Sequence, residues 1–460
     1  MCIRDRENAE TQAHIYGLDG ETTVYTEEAA NSTPSNFALD TVQLFQGMRR
    51  GGRNYYAWDV SNALSTTGTP ISEMWSIEGG VGDFANLGQT WSRMIRTQIN
   101  NDCDADGQNC TSRDVLVFSG GYDTYYDDPT VAPYTGPSNV QGNAIYIVDA
   151  NTGDLLWSAG DASDNHDLGL DMFNSIPASP TPIDINGDGA METLFAVDIS
   201  GKVWRIDFDQ TAPSPTAGNF AQGGMIADLS SNQPTRFYNA IDASFLAPRG
   251  ERAFFNLVVG SGYRAHPRET NEDTNALFVI YDENVFAPRD DNNDGIYEYG
   301  YTDTGGVVSF ANGDLFEVTQ GNPAVRGVNT NLGFYFSFID QNEKLLQSTT
   351  TLAGVVTFAT YIPVGGTNQV ELCGSGNIGS GRVYAVDLAT GNIIFTEPLG
   401  VDGIPPDPTF LLTEQGGLTI CIGTECFVKS PGDPAIPQNI VDAQNLEVGT
   451  ALRTYWREEQ

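Results

Sequence analysis

The feature that most constrains this chain is a short motif that keeps returning: an apolar or aromatic pair, an Asp two residues on, a turn containing Gly, and an apolar strand ending in Trp or Phe. It is found at Tyr55-Tyr-Ala-Trp-Asp59, at Tyr146-Ile-Val-Asp149 with Gly153 and Trp157, and at Phe195-Ala-Val-Asp198 with Gly201 and Trp204. It returns at Phe278-Val-Ile-Tyr-Asp282, and at Tyr384-Ala-Val-Asp387 with Gly391 and Phe395. Each copy reads as an outer hairpin of a four-stranded sheet, with the Asp and the Gly making the turn. Irregular recurrence of such sheets, with insertions between them, points to a β-propeller, and the repeat is too long for a parallel β-helix. With 50 glycines, 10% aromatic residues and only 18% charged residues, the composition serves short strands and turns better than long helices. The expectation is an all-β fold, a propeller of about seven blades. At 460 residues the chain exceeds one ordinary core, yet no boundary is strong enough to divide 40–460, and 397–440 reads as a proline-bearing insertion.

A second pattern interrupts the repeat. Asp184, Asn186 and Asp188 place oxygen-bearing side chains at every second position, and Gly189 then permits a sharp turn. That is the opening of a calcium loop, with the Ala190 carbonyl at position 7 and Glu192 at position 9 as closing ligands. Position 12, where a helix-loop-helix site carries a bidentate Glu, is Phe195, so the loop is a short one feeding a strand. The plainer reading is an Asn-Gly and Asp-Gly turn without metal. Against it, three carboxylates in nine residues repel one another unless a cation compensates them. The register repeats at Asp290, Asn292, Asp294, Ile296 (through its carbonyl) and Glu298, which reads as a second calcium loop. A third, weaker candidate opens with Asp102, Asp104 and Asp106, but its ninth position is Cys110, a ligand calcium does not favour. Hard-oxygen loops of this length are open to solvent, which implies a weak affinity, with Kd about 10⁻⁴ to 10⁻³ M.

The formal net charge is −38, and no basic stripe is present to neutralise a phosphate backbone, which argues against nucleic acid as a partner. No run approaches the length needed to span a bilayer, so membrane insertion is not expected. Cys103/Cys110 and Cys421/Cys426 are spaced to staple local loops in an oxidising compartment, and neither pair has the neighbouring His or Cys of a zinc site. Cys373 is left odd. The opening Met1-Cys-Ile-Arg-Asp5 looks like a translated sequencing adapter, so residues 1–5 read as an artefact and 1–39 as the truncated start of the propeller. His14, His166 and His266 form no Cys/His cluster and no nucleophile elbow, and His166 reads as a polar loop residue rather than a base.

The stretch from Pro180 to Asp207, a proline-bearing lead, the oxygen-rich loop and then Gly201-Lys-Val-Trp-Arg-Ile-Asp207, resembles the calcium-binding segment of the PilC/PilY family of type IV pilus proteins. Gly51-Gly-Arg-Asn-Tyr-Tyr-Ala-Trp-Asp-Val60, Phe118-Ser-Gly-Gly-Tyr122, Val259-Gly-Ser-Gly-Tyr263 and Leu452-Arg-Thr-Tyr-Trp-Arg457 resemble further segments of that family, so the match runs from about residue 40 onward. Glu192 stands where the family has Asp. The Asp-x-x-Thr-Gly-x-x-x-Trp form of the repeat is that of quinoprotein-like propellers. The resemblance implies a non-enzymatic, calcium-binding protein of pilus biogenesis and tip adhesion, in which calcium sets extension against retraction. It further implies pilins and minor pilins as partners, with host-cell or abiotic surfaces as adhesion targets. The place implied is the cell surface or pilus tip, associated with the outer membrane and reached through the periplasm. Two other readings are a purely adhesive propeller with structural calcium, and a quinoprotein-type dehydrogenase. The latter is disfavoured because its adjacent Cys-Cys pair is missing.

Overall fold

The computed structural model describes residues 16–28, 39–63, 70–101, 103, 110–128, 139–230, 235–246, 253–270, 275–283, 285, 314–319, 321–330, 332–352, 354–363, 379–400, 402–412 and 418–429. The all-β expectation holds, with 50% of the described residues in strands and 4% in helix. The chain divides into two compact units, one built chiefly on Ile15–Leu229 and the other on Ser230–Val285 and Phe310–Tyr455.

In the first unit, β1 (Thr22–Glu28), β2 (Leu39–Gly47), β3 (Tyr55–Asp59) and β4 (Ser72–Ile77) form an antiparallel meander in that order. β5 (Ile95–Asn101), β6 (Thr111–Ser119), β7 (Ala144–Asp149) and β8 (Leu155–Asp161) form the next, to which β9 (Leu168–Leu170) adds in parallel. β10 (Thr181–Ile183), β11 (Thr193–Val197), β12 (Lys202–Phe208) and β13 (Ala221–Asp228) form the third. In the second unit the same plan recurs, beginning with β14 (Asp242–Leu246), β15 (Phe254–Gly260) and β16 (Ala276–Asp282), joined by β17 (Phe316–Glu317) and β18 (Gly333–Ser337). It continues with β19 (Thr350–Leu352), β20 (Val355–Ile362), β21 (Ser380–Asp387) and β22 (Ile393–Leu399), then β23 (Pro408–Leu412), β24 (Leu418–Ile422) and β25 (Glu425–Lys429). Each sheet is thus made of strands consecutive in sequence, the connectivity of propeller blades. Six such sheets lie among the described residues.

Apolar layers between successive sheets hold each unit together. Phe45, Tyr55 and Trp75 of the first sheet pack with Phe118 and Tyr146 of the second. The second sheet meets the third through Val117, Ile147 and Trp157 against Leu194, Trp204 and Phe208. In the other unit Val279 and Phe334 face Phe358 and Tyr384, and Ala359 and Val383 face Ile420 and Ile422. The near-continuous burial of β7, β11, β15 and β16 is that of strands covered on both faces, where period-2 alternation disappears.

The repeated Asp has a local cause. Asp149 Oδ1 accepts from the N–H groups of Asn151 and Thr152 at 2.8 and 2.9 Å, and Asp387 Oδ1 does the same for Ala389 and Thr390 at 2.8 and 3.0 Å. These are side-chain substitutes for a backbone turn. In three sheets a bulge falls immediately before the Asp, at Ala57/Trp58, Ile147/Val148 and Ala385/Val386, adding the local twist a stacked sheet needs. Gly153 has φ +76, and a Cβ there would lie 2.8 Å from Trp75 of the preceding sheet, so only glycine fits. Asp59 and Asp387 lie in outer hairpins, β3–β4 and β21–β22, whereas the other three copies have a further strand outside them: β9 beyond β8 for Asp149, β17 beyond β18 for Asp282, and β10 and β13 on either side of the central β11–β12 hairpin for Asp198.

Candidate metal centre

The 184–192 loop is the connection between β10 and β11. Its side chains fold inward through a series of short-range bonds. Asp184 accepts from the N–H groups of Gly187 (2.6 Å) and Gly189 (2.8 Å), Asn186 Oδ1 from that of Asp188 (2.8 Å), and Asp188 Oδ1 from that of Ala190 (2.9 Å). Glu192 reaches back, its Oε2 accepting the Ile185 N–H at 2.6 Å and its Oε1 the Asn186 amide at 2.5 Å. The same amide donates to Asp188 Oδ2 at 3.2 Å. As a result, carboxylate oxygens of Asp184, Asp188 and Glu192 lie within 4.8 Å of one another, with Asp188 exposed and the other two half-buried.

Such a cluster carries an electrostatic cost. Burial pushes the Glu192 carboxyl above its ordinary value, the charges of Asp184 and Asp188 push the same way, and the Ile185 N–H works against them. Four backbone N–H groups and one amide donor offset part of the charge. A divalent cation at the centre would offset the rest, and three carboxylates with neutral oxygens nearby form the hard-donor set that calcium takes. Asp184, Asn186, Asp188 and Glu192 are the residues that fit such an ion. Ala190, whose carbonyl would complete the set, is 2% exposed and bridges Gln98 of β5.

Two residues that the spacing could not reveal hold this loop from outside. Gln98 accepts the Met191 N–H at its carbonyl (3.0 Å), and its side-chain oxygen lies where a Cβ at Gly189 (φ +100) would come within 2.7 Å. Gln210 donates its amide to the Met191 carbonyl and accepts the Asn100 N–H at 2.7 Å. The Gln210 carbonyl lies 3.4 and 3.6 Å from the sulfurs of Cys103 and Cys110, which are bridged, so that disulfide abuts the residue supporting the loop. Cys421 and Cys426 are also bridged. Only long-range partners identify Gln98 and Gln210, and no local pattern marks them.

Downstream, the Trp-Arg-x-Asp motif has a structural role. The Trp204 indole donates to Asp198 at 3.2 Å, and Asp198, fully buried, also accepts from Ser200 and Lys202. Arg205, 2% exposed, pairs with Asp207 at 2.9 Å, and Asp207 accepts the Thr193 hydroxyl at 2.7 Å. The first strand residue after the loop is therefore anchored to a buried ion pair. The second loop, Asp290 to Glu298, falls outside the described residues, as do Asp102, Asp104 and Asp106 of the third, Cys373 and the 452–457 segment. His166 lies between β8 and β9 with Nδ1 3.0 Å from Ser158 Oγ, and its ring meets Tyr146 edge-on. Among the described residues no helix is long and apolar enough to cross a membrane.

No protein-family model matches the chain. A type IV pilus biogenesis factor PilY1 homolog of Xylella fastidiosa (strain Temecula1) is 23% identical over 404 residues. The alignment takes in 84% of this chain and 23% of that protein, so the chain spans about a quarter of its relative's length. Among solved structures, the Pseudomonas aeruginosa PilY1 C-terminal domain superposes with TM-score 0.56 at 16% identity, covering 89% of this chain and 84% of that one. A quinohemoprotein alcohol dehydrogenase from Pseudomonas putida HK5 reaches only TM-score 0.35 at 10% identity, too slight a likeness to carry an argument. The resemblance to the PilC/PilY family read from the motifs is thus borne out: in sequence the chain is similar to a PilY1 homolog, and in fold to the PilY1 C-terminal domain.

Proposed function

We propose that this chain is the calcium-binding, propeller-like part of a type IV pilus biogenesis protein, acting outside the cell through binding rather than catalysis. The observation that carries the reading is the convergence of Asp184, Asp188 and Glu192 at the start of the β11–β12 hairpin, in a chain similar to a PilY1 homolog over 84% of its length. Calcium in the loop neutralises the three carboxylates, orders the connection to edge strand β10 and so presents that edge to a pilus component, a pilin or minor pilin. In this way occupancy sets extension against retraction. The two disulfides favour an oxidising compartment, in keeping with export through the periplasm to the surface or pilus tip.

The test is made in bacteria carrying Asp184→Ala with Asp188→Ala, by counting surface fibres and measuring attachment. Loss of fibres supports calcium control of assembly. Normal piliation with lost attachment favours the adhesive reading, in which calcium is structural. Unchanged fibres and unchanged attachment contradict both.

A further inference from the structure

In the second unit a small group of polar side chains is buried inside an otherwise apolar layer. Asp242 and Ser244 alternate along β14 and so share one of its faces, and in the register of β14 with β15 Ser244 stands directly opposite Asn256. The side of the group is fixed by Thr351 of β19, whose hydroxyl donates to Asp242 Oδ2 at 2.7 Å, and Thr349 precedes it by two residues. All five residues are more than nine-tenths buried, at 2% exposure for Asp242, 6% for Ser244, 0% for Asn256 and 4% each for Thr349 and Thr351. Phe254, Val258 and Val356 wall the layer around them.

The group leaves polar atoms unmatched. Asp242 Oδ1, Ser244 Oγ, Thr349 Oγ1 and both amide atoms of Asn256 meet no well-formed hydrogen bond among the described residues, although the Thr349 hydroxyl stands near enough to Asp242 to favour its ionised form. Buried polar atoms are rarely left so, and a buried carboxylate is almost always paired with a positive charge. Here only threonine groups and the Thr351 N–H favour the ionised form, while burial raises the carboxyl to about 7. Among the described residues no cationic side chain compensates it.

We propose that Asp242, Ser244, Asn256 and Thr349 bind a monovalent cation of sodium's size, which ties β14 of one sheet to β19 of the next. One carboxylate and three neutral oxygens match a single positive charge, whereas a divalent ion would leave a net charge in a dry interior. The donors are all hard oxygens, which disfavours soft metals. The site is separate from the 184–192 loop and does not depend on calcium there.

The test is thermal unfolding of the whole chain, with chelator present throughout, in sodium chloride and in tetramethylammonium chloride at equal ionic strength. Tetramethylammonium carries its charge behind four methyl groups and cannot take oxygen ligands at the distances sodium does. A melting temperature about 3–6 °C higher in sodium, saturating with concentration, is expected. In Asp242→Asn the sodium increment should vanish. Should that variant fail to fold, Thr349→Val, which removes one neutral ligand, should need about tenfold more sodium for the same half-effect, a loss equal to one ordinary interaction. Equal melting of the wild-type chain in the two salts overturns the proposal and leaves water or a protonated Asp242 among these residues. A sodium increment that survives Asp242→Asn overturns it as well.

Discussion

The Oε2 atom of Glu192 accepts the backbone N–H of Ile185 at 2.6 Å, so the last carboxylate of the loop is pinned to its first turn. The contact spans seven residues and brings Glu192 up to Asp184 and Asp188. In Glu192→Ala both this tie and one ligand are lost, and calcium affinity measured by calorimetry should fall at least about tenfold, the equivalent of about 1.4 kcal/mol. Glu192→Gln keeps the tie but loses the charge, so it should fold as well as wild type while still binding calcium more weakly.

The same carboxyl predicts a pH dependence. Its folded-state value is raised, chiefly by burial, so the folded chain holds this proton to higher pH than the unfolded chain does. In chelator, the loop's contribution to stability is therefore greatest below the ordinary glutamate value and declines as pH rises through the raised one. Calcium removes the cost of ionisation, so the gain in melting temperature on adding calcium should grow as pH rises through that window. A calcium increment that stays constant from pH 4 to pH 8 would refute this account of the loop's charge.

Gln210 touches both the loop and the Cys103–Cys110 bridge. In Gln210→Ala, the Met191 carbonyl and the Asn100 N–H each lose a half-buried partner, for a destabilisation of about 1–3 kcal/mol. Calcium affinity should weaken several-fold although no ligand has changed. Reducing the bridge should cost about 2–3 kcal/mol from loop entropy. In a double cycle, the effects of reductant and of Gln210→Ala on calcium affinity should be less than additive, because both act through one support.

Asp198 is a structural counterpart to the loop. It is fully buried and accepts from Ser200, Lys202 and the Trp204 indole. Asp198→Ala strands these donors and should destabilise the first unit by about 2–4 kcal/mol, seen in urea unfolding. Calcium binding by whatever fraction remains folded should be unchanged, which separates this Asp from the ligand set.

What was legible in the sequence follows the range of the interactions. The Asp that starts each turn acts on N–H groups two and three residues away, so Asp149 and Asp387 revealed hairpins, and from them stacked sheets. The alternate oxygens of 184–192 converge for the same local reason. Elements placed by distant partners gave no signal. The parallel strands β9 and β17 are three and two residues long, and β10 is recognisable only because β11 lies beside it. Asp198 shares the motif of the outer hairpins, yet pairing with β10 and β13 makes its hairpin a central one. Gln98 and Gln210 support the loop from β5 and from the turn after β12, and the polar group at Asp242 depends on the register of three strands in two sheets.

The most direct test of the central claim is the melting temperature of the wild-type chain and of Asp184→Ala with Asp188→Ala, each with calcium and with chelator. At about 10 mM calcium and a Kd of about 0.1–1 mM, bound ion should stabilise the wild type by about 1.4–2.7 kcal/mol, or about 3–10 °C. The account predicts that increment for the wild type, and a double variant that melts in calcium close to chelated wild type. Wild-type chain that melts at one temperature with and without chelator would contradict it.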